Sequence, residues 1–210
     1  MYAATGTRPD IAFATSTLVQ YMQNPGRVHW EAVKRVVKYL KWSRDLELTY
    51  GGTNNGIQVY TDANHASQAH RHSISGYAFL IDGGVVSWSS KKQPLIAQST
   101  TEAKYIVAAH ATKEALWLQA FLGEVARLLM LPTTLQCDNQ SAIALSKDSQ
   151  YHARTKHIDL CFHFICEAVD NGTISLSYCP TEVMVADILT KPLLHPKVEK
   201  YTTALGLLLA

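Results

Sequence analysis

The chain has 210 residues, 47% hydrophobic and 17% charged, with a formal net charge of +2 at pH 7 and a sequence pI of about 8.3. That composition suits one ordinary domain with a flanking appendage and excludes wholesale disorder and collagen-like or coiled-coil architecture. So small a net charge demands no nucleic-acid partner, and any basic footprint must be local.

The longest apolar stretches, such as Leu207-Leu208-Leu209-Ala210, fall far short of the roughly 20 residues that cross a bilayer. Met1 to Asp10 holds no basic region followed by an apolar run, so a secretory signal is not expected. An intracellular, reducing compartment is the expectation, with cytoplasm and nucleus both open. Cys137, Cys161, Cys166 and Cys179 form no Cys-x-x-Cys pair and read as buried free thiols.

In chain order, the first element is a helix around Val28 to Trp42. Val33, Val36, Val37 and Leu40 form its apolar face, and Lys34, Arg35, Lys38 and Lys41 a solvated basic flank. A cluster of turn residues from Gly51 to Gly56 marks a boundary. Beyond it the period becomes strand-like at Ile57 to Asp62, Gly76 to Ile81 and Val85 to Ser89, with Asp82-Gly83-Gly84 as a hairpin turn. Thr101 to about Leu122 reads as a long helix capped by Ser99 and Thr100. A strand at Thr133 to Asp138, a short helix from Asn139 to about Ser146 and a longer one from about Thr155 to Val169 follow. A strand at Thr173 to Tyr178 and a helix from about Glu182 carrying Asp187 complete the order. Three consecutive strands followed by strand-helix crossovers imply a mixed sheet with helices on its faces.

Asp62 and Asp138 both stand at the end of an expected strand, Glu102 opens the long helix, and Asp187 lies early in the last one. Carboxyl ends of strands gather sites in such sheets. Each acid alone reads as a cap or surface charge; together at one rim they would repel unless cations neutralise them. Hard oxygen ligands select Mg²⁺ or Mn²⁺ over zinc, which points to phosphodiester chemistry with two metals. The loop histidines His65, His70 and His72 read as solvated. No Gly-x-Ser-x-Gly elbow supports serine hydrolysis.

Five segments carry a resemblance: Tyr60-Thr-Asp-Ala-Asn-His-Ala66, Ser99-Thr-Thr-Glu-Ala-Lys-Tyr105, Gln136-Cys-Asp-Asn-Gln-Ser-Ala142, His152-Ala-Arg-Thr-Lys-His-Ile158 and Val185-Ala-Asp-Ile-Leu-Thr-Lys-Pro-Leu193. They resemble the ribonuclease H domain of copia-type retrotransposon polyproteins. Arg8-Pro-Asp-Ile-Ala-Phe13 and His29 to Lys41 look like the end of the reverse transcriptase and its connection. The resemblance implies an α/β, ribonuclease H-like fold: a five-stranded mixed sheet flanked by helices, with an N-terminal helical appendage. It divides the chain into a connection remnant (1–50), a ribonuclease H-like domain (51–194) and a C-terminal tail (195–210).

The resemblance also implies hydrolysis of the RNA strand of an RNA–DNA hybrid with two Mg²⁺ ions, for which Mn²⁺ can substitute. Asp62 would bridge both ions, Glu102 and Asp138 would hold the ion at the leaving oxygen, and Asp187 would complete the ion that activates water. Lys91, Lys92, Arg154, Lys156 and His157 are candidates for contact with the nucleic acid, because exposed cations pair with phosphates. Reverse transcriptase segments of the same polyprotein are expected partners, and a membrane is not. Three features depart from the family pattern. Lys104 stands where a second acid is common, no His lies between Pro180 and Ala186, and the paired-aspartate motif of the polymerase is missing. A catalytically inactive remnant that binds nucleic acid or connects to the polymerase is therefore the alternative.

Overall fold

The computed structural model describes residues 1–52, 56–67, 71–126, 132–147 and 159–209. It opens with helices α1 (Tyr2–Gly6), α2 (Ala12–Val19) and α3 (Arg27–Trp42), followed by a short strand β1 (Leu46–Leu48). Next come β2 (Gln58–Asn64), β3 (Ile74–Ile81), β4 (Gly84–Lys92) and the long helix α4 (Thr100–Ala126). The chain continues through β5 (Thr133–Cys137), α5 (Gln140–Lys147), α6 (Asp159–Asp170), β6 (Ile174–Tyr178), α7 (His195–Ala204) and β7 (Leu207–Leu209).

The main sheet has the order β4-β3-β2-β5-β6. Strands β2, β3 and β4 are antiparallel, whereas β5 runs parallel to β2 and β6 to β5. This is the expected α/β, ribonuclease H-like arrangement. The β3–β4 hairpin closes through Asp82 and Gly83 at φ +51° and +81°, the left-handed pair that a two-residue turn between twisted strands requires. Reaching β5 parallel to β2 needs a crossover, which α4 provides. Its inner face of Ala103, Val107, Ala111, Ala115 and Leu118 is buried against Val59, Phe79 and Leu135 of the sheet. Small residues at that spacing let the helix lie close to the strands.

Two expectations need correction. The helix expected from Glu182 is instead two 3-10 turns, Thr181–Val183 and Val185–Leu189. Every residue of the second turn is buried, and Pro192 soon after it cannot donate to a continuing helix. Residues 195–210, expected as a tail, form α7 and β7, and β7 pairs antiparallel with β1, Leu46 opposite Leu209. Tyr201, Leu205 and Leu207 are buried there, so this segment contributes to the core. The N-terminal residues also reach the sheet: Trp88 of β4 donates its indole N–H to the carbonyl of Ala4 at 2.8 Å. α3 forms as expected, but none of its residues is buried, and Val37 is 59% exposed.

All four cysteines are free, Cys137 and Cys179 buried and the other two partly so. Among the described residues no helix is long and apolar enough to cross a membrane.

Candidate active site

Asp62 lies near the end of β2, opposite Gly76 of β3. Its strand neighbour Thr61 pairs with Cys137 of the parallel β5, so Asp62 and Asp138 follow at adjacent positions along two neighbouring strands. The sequence then turns away after Asp138, where Asn139 Oδ1 accepts the amide of Ala142 at 3.0 Å and caps α5. Asp187 arrives from the buried turn Val185–Leu189. Gly76 permits that turn to press on β3: a Cβ there would stand 2.6 Å from Thr190 Cγ2 and 2.8 Å from Leu189 Cβ.

Two lysines and two threonines hold these three carboxylates. Lys104 Nζ lies 3.2 Å from Asp62 Oδ1 and donates also to Asp138 Oδ1. Lys191 Nζ lies 2.8 Å from Asp187 Oδ1 and 3.6 Å from Asp62 Oδ2. Thr190 donates its hydroxyl to Asp62 Oδ2, and Thr181 donates to Asp138 Oδ2 at 3.4 Å. Asp62 and Asp187 are each 1% exposed.

Charge in this enclosed place is uneven. Burial opposes ionisation of Asp62, yet Lys104 and Lys191, with the Thr190 hydroxyl, hold its carboxyl below the usual range. Asp187 is pushed up to about 6, by burial first and then by the charges of Asp62 and Asp138, against the pull of Lys191. Burial disfavours the ammonium forms of Lys104 and Lys191, but the facing carboxylates outweigh it and raise both.

Glu102 is engaged at the start of α4. Its Oε2 accepts the amide of Gln98 at 2.7 Å, and its own amide donates to Ser99 Oγ at 3.1 Å, close to a capping box. It is Lys104, two residues on, that reaches Asp62 and Asp138, because side chains two apart on a helix face different ways. Lys91 is exposed and Lys92 half-buried at the end of β4. Arg154, Lys156, His157 and His70 lie outside the described residues. His65 and His72 each meet a backbone carbonyl, of Ala97 at 3.0 Å and of Gln93 at 2.8 Å, so both rings help to fix the loops around them.

The donors suit a hard divalent cation, since Asp62, Asp138 and Asp187 offer only carboxylate oxygens. Among the described residues no group of three His, Cys, Asp or Glu is already arranged around a metal position; ammonium groups stand between the acids. In the sequence Lys104 stands out only as a departure from the family pattern, and nothing there gives Thr190 or Lys191 a role. The available signal was the four-residue spacing of Asp187 and Lys191, which places them on one side of a turn.

No protein-family model matches the chain. It is 44% identical over 208 residues, 99% of its length, to the retrovirus-related Pol polyprotein from transposon TNT 1-94 of Nicotiana tabacum. It is 36% identical over 96% of its length to the corresponding polyprotein from transposon RE2 of Arabidopsis thaliana. The chain spans 16% and 14% of those polyproteins. Among solved structures, LC11-RNase H1 in complex with an RNA/DNA hybrid aligns with a TM-score of 0.47 at 16% identity, over 64% of this chain and 94% of that one. With a match along almost the whole of this chain, to a small part of each polyprotein, the chain belongs to the Pol polyproteins of copia-type retrotransposons.

Proposed function

We propose that the chain is a metal-dependent endonuclease that hydrolyses the RNA strand of RNA–DNA hybrids. The observation that carries this reading is the convergence of Asp62, Asp138 and Asp187 on shared cations at one rim of the sheet. Membership of a Pol polyprotein family supports a nucleic-acid substrate. In this reading Asp62, Glu102, Asp138 and Asp187 would hold two Mg²⁺ or Mn²⁺ ions, with Asp62 shared, Glu102 and Asp138 serving the ion that would neutralise the leaving oxygen, and Asp187 serving the ion that would activate water. Such ions, when bound, lower the pKa of water and neutralise the leaving oxygen.

The chain's own residues then orient and hold. Thr190 fixes the rotamer of Asp62 through its hydroxyl, and Lys191 ties Asp187 to Asp62. Lys91 and Lys92 at the end of β4, with Arg154, Lys156 and His157, would grip phosphates without reading sequence. The exposed face of α3 suits the reverse transcriptase segments of the same polyprotein as a partner.

A second reading has its own observation. Lys104 and Lys191 already compensate the acids, as in a silent module that binds nucleic acid without cutting it. Incubation with end-labelled RNA–DNA hybrid in Mg²⁺, beside a chelated control and a DNA duplex, separates the two. We expect cleavage of the RNA strand only, dependent on Mg²⁺ and lost in Asp62→Asn. Retention of hybrid without cleavage, in Mg²⁺ and in Mn²⁺, would favour the silent module.

A further inference from the structure

We propose that Lys104 is a built-in counter-cation that holds the place of one divalent ion, so that metal loading requires its ammonium group to withdraw from Asp62 and Asp138. The inference rests on the proposed metal-dependent function and adds a control to the same site.

Position is the first argument. Lys104 stands in the second turn of α4, its side chain 8% exposed, with its ammonium between carboxylates from two adjacent parallel strands. Those are the two acids expected to share an ion. An ammonium keeps each oxygen at roughly 2.7–2.9 Å, whereas Mg²⁺ draws oxygen to about 2.0–2.1 Å. One gap between Asp62 and Asp138 cannot hold both.

Charge is the second argument. Three carboxylates face two ammonium groups, which leaves a single negative charge among them to attract two dications. With Lys104 in place, an arriving ion also meets a like charge within a few ångströms in a poorly solvated site, where repulsion is strong. A lysine can be displaced in a way that a backbone amide cannot, because its four-carbon stem is flexible.

The test is direct binding, with no substrate. Mn²⁺ titration followed by the electron paramagnetic resonance of the free ion gives affinity and stoichiometry for wild type, Lys104→Met, Lys104→Gln and Lys104→Arg. Lys104→Gln can still donate to both carboxylates and guards against loss of the fold. We expect both neutral variants to bind on the order of tenfold tighter or better and to take up an ion more per chain, with Lys104→Arg no tighter than wild type. Equal affinity and stoichiometry in all four would overturn the role of Lys104 while leaving the proposed metal site standing. Absence of Mn²⁺ binding in every protein would overturn both.

Discussion

Thr190 donates its hydroxyl to Asp62 Oδ2 across 128 residues of sequence, and the two side chains are almost wholly buried. This bond joins the turn after β6 to the middle of the sheet and sets where the carboxylate points. Thr190→Val keeps the shape and removes the donor, leaving a buried acceptor short of a partner at a cost of about 1–3 kcal/mol. Gly76→Ala should cost a similar ~1–3 kcal/mol by overpacking, since its new methyl would collide with Thr190 and Leu189. Urea unfolding of each single variant checks both values.

The elevated pKa of Asp187, about 6, against about 3.9 in an unfolded chain, gives stability a particular dependence on pH. Between those values the folded state holds a proton that the unfolded state has lost. The contribution of this group is therefore complete below about pH 4 and disappears as pH rises through 6. Asp62, held low by its lysines, has the opposite sign and loses its contribution as pH falls. Subtracting Asp187→Asn from wild type isolates the first effect: relative to wild type the variant should gain on the order of 1–3 kcal/mol between pH 4 and 7. Chelated samples unfolded in urea at unit pH steps measure it. A difference that stays flat across that range contradicts the assignment.

Far from the site, Arg8 is buried and donates to both oxygens of Asp10 at 3.0 and 2.6 Å, and to Ser43 at its carbonyl and hydroxyl. Tyr39 donates to the same Asp10 carboxylate at 2.7 Å; its phenol is pushed up to about 12 by burial first and then by the Asp10 charge. The network fastens α3 to the residues after α1. Arg8→Met strands a buried carboxylate and should lower stability by about 3–5 kcal/mol. Arg8→Met with Asp10→Leu should recover most of that loss, which thermal and urea unfolding of the double-mutant cycle can read.

Hybrid binding through phosphates should weaken steeply with salt. Replacing Lys91 and Lys92 together with Ala should lower affinity for every hybrid sequence alike and reduce the salt slope by roughly 1 for each phosphate that is no longer neutralised. Fluorescence anisotropy over a series of salt concentrations measures this. An unchanged slope would move the binding surface elsewhere, such as the basic flank of α3 at Lys34 and Lys38.

The strands of the main sheet were legible because they alternate and are punctuated by turn residues, as at Asp82-Gly83. β1 and β7 were not, since three residues such as Leu207–Leu209 carry no measurable period. What marks them is burial of Leu205 and Leu207, a tertiary fact. Asp187 was found in sequence, but its setting was expected as a helix because a short 3-10 turn and a first helical turn share their local pattern. The acids alone suggested mutual repulsion relieved by ions. Lys104 comes from another element and Lys191 reaches across to Asp62, so the ammonium groups that relieve it here emerge only from packing.

In the proposed function Asp62, Asp138 and Asp187 form a cation site which a divalent ion can take over. Anomalous diffraction from crystals soaked in Mn²⁺ addresses it most directly. The expected result is a Mn²⁺ peak within ligating distance of Asp62 and at least one of Asp138 and Asp187, with Lys104 Nζ moved away from Asp138. Crystals in which Lys104 still bridges Asp62 and Asp138 at saturating Mn²⁺, with no peak at these carboxylates, would contradict it.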